Sequence, residues 1–232
     1  MLPALLDLIF PPRCTGCNAP GGWFCAACQT RVRDQYAATT HCAVCDRDST
    51  RSPCANCRHE PLALAGVIVT GEYVQPLKDA IWSLKFKAHP QAARPLGQML
   101  ATIWQDRGHG TLDALIPVPM SAQHRRERGY NQAELLAQSC GKVLQVPVVS
   151  DVVCRTRTAP TQRGLDRAAR RANVVGLFST IRPMTGQRVA IVDDVMTTGA
   201  TLSAMAETLY AQGAAAVFGL VLAGTHSSDA HI

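Results

Sequence analysis

From about Leu62 onward the chain alternates short apolar runs with segments of helical spacing. Residues 64–70, 112–118, 189–193 and 215–222 are nearly continuous apolar runs, the pattern of strands buried on both faces. Between them, residues 76–86, 91–105, 131–144 and 201–212 place good helix formers at helical spacing. Strands alternating with helices predict an α/β fold, a mostly parallel sheet flanked by helices. Before Leu62 the pattern changes. Residues 1–60 are rich in cysteine and turn formers and poor in aliphatic residues after the first ten, so a boundary is expected near Pro61, between a small module at 1–60 and a larger domain at 61–232.

The chain has 232 residues, 47% hydrophobic and 17% charged, which excludes a disordered polyampholyte. Its longest apolar run, 213–224, falls short of the roughly 18–20 residues of a membrane-spanning helix, so no membrane span is expected. Residues 1–12 are apolar but lack both a leading basic residue and a small-residue cleavage site, a poor signal peptide. A cytoplasmic location is expected. Whether Met1 to Phe10 forms a docking helix or covers the core stays open at this level.

Eight of the ten cysteines form four Cys-x-x-Cys pairs: Cys14/Cys17, Cys25/Cys28, Cys42/Cys45 and Cys54/Cys57. Two intervening residues let both thiolates of a pair reach one tetrahedral metal, and two pairs complete one closed structural site. Sequential pairing gives two zinc ribbons in tandem and two zinc ions; a crossed pairing remains open. A module this small and poor in aliphatics cannot hold together by burial alone, so metal is expected to stabilise it. His41 and His59 flank the pairs as solvated neighbours or substitute ligands, whereas the isolated Cys140 and Cys154 read as small buried hydrophobes. A zinc ion held by four thiolates carries a net −2, so two such sites bring the formal +6 to +2. Basic charge is concentrated instead between Arg125 and Arg171, where nine arginines and one lysine face four acids.

The sharpest motif is the apolar run 189–192 followed by Asp193, Asp194, Val195, Met196, Thr197, Thr198, Gly199, Ala200 and Thr201. Adjacent carboxylates are costly inside a sheet, so both acids are expected to emerge at its carboxyl edge, where open α/β sheets bind ligands. The small hydroxylated residues after them open a helix, whose backbone N–H groups and dipole suit a phosphate. Carboxylates beside a phosphate cradle describe a ribose phosphate. A P-loop signature is absent, and Gly108-His109-Gly110 lacks the third glycine of a dinucleotide fingerprint.

This nine-residue motif resembles the phosphoribosyl pyrophosphate (PRPP) motif of type I phosphoribosyltransferases. The wider order of four Cys-x-x-Cys pairs, Leu84-Lys85-Phe86, Ile116-Pro117-Val118-Pro119, Arg128-Gly129-Tyr130-Asn131-Gln132, then Gln162, Arg170 and Asn173, resembles the ComF family of competence-associated proteins, GntX-type members included. The resemblance implies a type I phosphoribosyltransferase-like domain behind a double zinc ribbon, with PRPP as ligand and Mg2+ accompanying it. It implies Asp193 and Asp194 on the ribose hydroxyls, residues 195–201 on the 5′-phosphate, and Arg125 and Arg128 near the pyrophosphate. Arginine forks suit such oxygens. Arg155, Arg157, Arg163, Arg167, Arg170 and Arg171 form a second basic cluster, which reads equally as a mobile active-site cover or a solvated helix face.

Two functions follow from different classes. One is transfer of ribose 5-phosphate from PRPP to a nitrogen acceptor, with Asp193 and Asp194 in the catalytic centre and pyrophosphate released. Against it, no general base or nucleobase pocket is recognisable, and the zinc module occupies the place of an acceptor-binding hood. The other is a role in competence and DNA uptake, binding PRPP together with single-stranded DNA or a DNA-uptake helicase or channel. Tyr130 is the single aromatic of the basic stretch, so no stacking platform is evident there, and Trp23 and Phe24 read as packing between the knuckles. A homodimer is compatible with either.

Overall fold

The computed structural model describes residues 11–107, 110–156 and 176–225. In chain order the elements are α1 (Ala26–Ala37), α2 (Ala55–His59), β1 (Gly66–Glu72), α3 (Leu77–Phe86), a 3-10 turn (Pro90–Ala92), α4 (Ala93–Asp106), β2 (Ala114–Pro117), α5 (Ala122–Arg128), α6 (Gln132–Leu144), β3 (Val153–Arg155), β4 (Phe178–Thr180), β5 (Arg188–Met196), α7 (Ala200–Tyr210) and β6 (Ala216–Gly224). The four long apolar runs form one parallel sheet in the order β1-β6-β5-β2. A separate antiparallel pair joins β3 to β4.

Alternating side chains of each strand feed two apolar layers. On one face Ile68, Ala190, Val192, Leu220 and Leu222 pack with Leu84 of α3, Leu96 and Leu100 of α4 and Leu136 of α6. On the other, Val67, Val69, Val189, Ile191, Val217 and Val221 pack with Leu202, Met205 and Leu209 of α7 and with Val153 and Phe178 of the β3–β4 pair. Helices α4 and α6 cross closely because Gly97 has no Cβ; one placed there would lie 2.6 Å from the Leu136 carbonyl oxygen.

The cysteine-rich segment straddles edge strand β1. Cys14, Phe24, Cys28 and Val32 join the first apolar layer, whereas Cys42, Cys45 and Cys57 join the second. Its two halves repeat one design. Each opens with an antiparallel bridge, Arg13 to Pro20 and His41 to Asp48, and starts a helix directly after its third cysteine. In each, the residue after the second cysteine, Asn18 or Asp46, adopts a positive φ, which Asn and Asp tolerate better than most. The module closes the sheet edge through Asp46. Its Oδ2 accepts from the backbone N–H of Val69 at 2.7 Å and from Arg107, its Oδ1 accepts from the Tyr36 hydroxyl, and Arg107 donates to the Val69 carbonyl at 3.3 Å. Exposed strand edges are sites of unwanted pairing, and this arrangement occupies one.

One expectation is corrected here, the burial of Cys154. Arg125, Arg126 and Arg128 lie on α5, which Ser121 caps by accepting from His124 N–H and which Gly129 ends at φ 82°. Cys140 is buried as expected, but Cys154 is exposed beside the Ser179 hydroxyl, because the short β3 turns it outward. Trp23 meets the His89 ring, with centroids 5.2 Å apart, and Phe24 is buried in the layer that holds Cys14 and Cys28. Met1 to Phe10, Gly108-His109, Arg157, Gln162, Arg163, Arg167, Arg170, Arg171 and Asn173 lie outside the described residues. Among the described residues, no helix is long and apolar enough to cross a membrane.

Candidate functional site

Strand β5 carries the two acids into the site. It does not stop at Asp193 but stays paired with β6 as far as Met196. Asp194 therefore does not emerge at the edge: it is 3% exposed, on the face that holds Val192. A buried carboxylate needs a counter-charge. Lys85, near the end of α3, supplies it, with Nζ 2.9 Å from Asp194 Oδ1. Burial works against the Lys85 ammonium, but the Asp194 carboxylate and its hydrogen bond outweigh that and raise its pKa.

Asp193 faces the other side and is only partly covered. Burial and the neighbouring Asp194 charge push its carboxyl up to about 7, against the pull of Lys85, of the Asp194 N–H 2.8 Å from its Oδ1, and of Arg155 on β3. The second oxygen of Asp194 and Nε of Arg155 are buried without hydrogen-bond partners. Such groups are costly to leave unpaired and suit an arriving ligand.

Beyond Met196 the chain makes the expected loop. Gly199, at φ 83°, turns it into α7, an 11-residue helix with no side-chain cap. The first N–H groups of such a helix suit an anion. Thr197, Thr198 and Thr201 are partly exposed around this turn, and the Thr198 hydroxyl accepts from Ala200 N–H at 3.3 Å. The predicted residues 193–201 thus run as one segment from the end of β5 into the start of α7.

Two contacts hold the loop from the cysteine side. Leu62 packs so closely on Gly199 that a Cβ there would lie 2.8 Å from its Cδ2. Arg47, 7% exposed, donates through Nη1 to the Thr197 carbonyl and through Nε to Cys45 Sγ at 3.3 Å. Neither Arg47 nor Lys85 was given a role from sequence. Arg125 and Arg128 have other partners than the acids: Arg125 pairs with Glu134 at 3.1 Å, and Arg128 donates to Gln132 and lies over the Phe86 ring. They connect to the site through α3, since the Tyr130 hydroxyl donates to the Leu84 carbonyl at 2.6 Å, next to Lys85.

The eight paired cysteines fall into two sequential groups, Cys14, Cys17, Cys25 and Cys28, and Cys42, Cys45, Cys54 and Cys57, each with its sulfurs within 4.8 Å of one another. Four thiolates at 2.3 Å around a tetrahedral zinc would stand about 3.8 Å apart. The separations of 3.7 Å for Cys14–Cys28 and Cys17–Cys25, and 3.8 Å for Cys45–Cys54, fit that ion. Despite burial, backbone N–H groups of Cys25, Cys17 and Gly16 hold the Cys14 thiol down to about 7. Those of Cys54, Cys45 and Val44 hold Cys42 down to about 6. His41 takes no part as a ligand; it stacks on Tyr36 with centroids 3.6 Å apart.

No family model matches the chain. It is 32% identical over 220 residues to the DNA utilization protein YhgH of Escherichia coli strain K12, covering 90% of this chain and 96% of that protein. It is also 32% identical over 192 residues to competence protein F of Haemophilus influenzae, covering 80% and 83%. Among solved structures it resembles the glutamine phosphoribosylpyrophosphate amidotransferase of B. subtilis complexed with ADP and GMP. That match has a TM-score of 0.39 and 22% identity over 57% of this chain and 26% of the other.

Proposed function

Because the chain belongs to the ComF family of competence and DNA utilization proteins, we propose that it binds PRPP at the β5–α7 turn and serves DNA uptake by handling single-stranded DNA or a DNA-uptake partner. The observation that carries the PRPP site is the continuity of acids and cradle. Asp193 and Asp194 lie near the end of β5, Asp194 with an unpaired carboxylate oxygen, and five residues after Asp194 the turn at Gly199 opens α7, whose N-cap makes no side-chain bond. Asp193 and Asp194 accept from the ribose hydroxyls, Thr197 to Thr201 surround the 5′-phosphate, and Lys85 holds Asp194 in place through its ion pair. Arg125 and Arg128 reach the pyrophosphate by exchanging Glu134 and Gln132 for its oxygens. Mg2+, when bound, would screen the pyrophosphate charge, and the unpartnered Asp194 oxygen suits a hydroxyl or a hydrated cation.

In this proposal residues 1–60 are a double zinc ribbon and residues 61–232 the phosphoribosyltransferase-like domain. The protein acts in the cytoplasm, with the outer side of the ribbon offered to a helicase or channel. Calorimetry with PRPP, with and without Mg2+, tests the site. Binding by the zinc-loaded protein is expected and is lost in Asp193→Ala; no binding by the wild type would refute it.

One observation favours an active transferase as a second reading. Asp193 is partly exposed and held near neutrality, so it can take the proton of a nitrogen nucleophile as the C1′–N bond forms and the C1′–O bond to pyrophosphate breaks. Pyrophosphate release with an acceptor panel tests this, and silence across the panel counts against it.

A further inference from the structure

Helix α3 buries Leu77, Ala80, Ile81 and Leu84 and turns its opposite side outward. On that outer side Trp82 is 47% exposed and Phe86 59% exposed, one helical turn apart, their ring centroids 5.8 Å from each other. Apolar rings are costly to leave in water, and here each is attended by a cation. Lys87 Nζ lies 5.1 Å from the Trp82 centroid, and the Arg128 guanidinium lies 5.5 Å from that of Phe86. A third pair continues the row, Lys78 Nζ 5.7 Å from the ring of partly buried Tyr73. Aromatic planes interleaved with cations on and beside the outer side of α3 combine the two elements of non-specific single-strand recognition, stacking surfaces for bases and positive charge for phosphates.

We propose that this row of Tyr73, Lys78, Trp82, Phe86, Lys87 and Arg128 is the surface that takes single-stranded nucleic acid. This rests on the single-strand-handling function proposed above and gives it a location. Charge complementarity decides the occupant. A second copy docking through the same patch would bring like cations together, because a two-fold interface is self-complementary. A duplex offers phosphates but keeps its base faces stacked inside, so the rings would contribute nothing. A single strand meets both demands. The surface starts one residue from Lys85, and Arg128 belongs to it and to the proposed pyrophosphate side of the site. Strand and PRPP would therefore share a border.

The test is fluorescence anisotropy of labelled dT20 with the full-length, zinc-loaded protein, alongside the dT20·dA20 duplex. Trp82→Ala and Phe86→Ala are each expected to weaken dT20 binding by about 5- to 100-fold, the range for removing one base–aromatic stack, with little effect on the duplex. Lys87→Gln should flatten the dependence of log affinity on log salt by about 0.7. Both rings are exposed, so zinc content and thermal midpoint should remain those of the wild type. Wild type that binds no dT20 at low salt overturns single-strand handling and the surface with it. Wild type that binds dT20 as tightly as the Trp82→Ala, Phe86→Ala double variant overturns the surface alone. Variants that lower self-association while leaving dT20 binding intact assign the patch to a second copy and also overturn it.

Discussion

Arg47 touches both the second cysteine group and the phosphate loop, so its removal should loosen both ends of one strut. Arg47→Ala deletes a guanidinium bond to the Thr197 carbonyl and another to Cys45 Sγ. Hydrogen bonds from a charged donor contribute about 1.5–3 kcal/mol each. At the metal end, losing such an outer partner lowers metal affinity by about 10–100-fold. At the loop end, a loss of about 1.5–3 kcal/mol raises local opening by roughly one to two powers of ten. Competition for zinc against a chromophoric chelator should therefore show one of two sites weakened by about 10–100-fold, while the Cys14, Cys17, Cys25 and Cys28 group keeps wild-type affinity. Hydrogen exchange should show the amides of residues 197–201 opening faster while those of β6 hold. Arg47→Lys keeps the charge but not the fork, and should recover only part of either effect. Equal weakening of both metal sites, or unchanged exchange at residues 197–201, would refute the strut.

Three further outcomes are expected. Gly97→Ala should cost about 2 kcal/mol and lower the thermal midpoint by about 4–8 °C, because its Cβ meets the Leu136 carbonyl of an immobile helix; an unchanged midpoint refutes the close crossing. Lys85→Met should strand the buried Asp194 charge and cost about 3 kcal/mol or more in chemical denaturation, and adding Asp194→Asn should restore most of it. Asp193→Asn should stabilise the fold more at pH 8 than at pH 5. The Asp193 pKa is raised on folding, so the folded form binds the proton more tightly than the unfolded chain does. Stability is then lost as pH rises from about 4 to about 7, and the substitution removes that loss. Thermal midpoints at the two pH values check it, and equal shifts would overturn the assignment.

The periodic part of the chain was legible because its strands are buried on both faces and its helices carry one apolar stripe. All four strands of the main sheet and four helices lie within a few residues of where the pattern puts them. Three helices were not legible for a physical reason. In α1 only Cys28 and Val32 are buried, α2 is a single turn held at its cysteines, and α5 buries nothing. The β3–β4 pair was missed as well, being two three-residue strands whose partners lie more than twenty positions apart. At the site, the loop from Asp193 to Thr201 was readable because it is contiguous. Its supports were not: Lys85 with Asp194 and Arg47 with Thr197 are contacts across 109 and 150 positions, which no local pattern encodes. The expectation that both acids emerge failed on one of these, since a lysine distant in sequence lets Asp194 stay inside. Trp82 and Phe86 drew no reading from the sequence, because which side of α3 faces outward is settled only by the packed fold.

Asp46 sits on the knuckle of a cysteine group yet satisfies the backbone of Val69 on the outermost strand. With zinc held by that group, as proposed, finishing the sheet would depend on the ion. A newly made chain in a metal-starved cell would present β1 as an open template, prone to pair with its neighbours and to be cleared by quality control. The amount of working protein would then follow the supply of the ion, with no dedicated regulator, through the fate of a single unprotected strand.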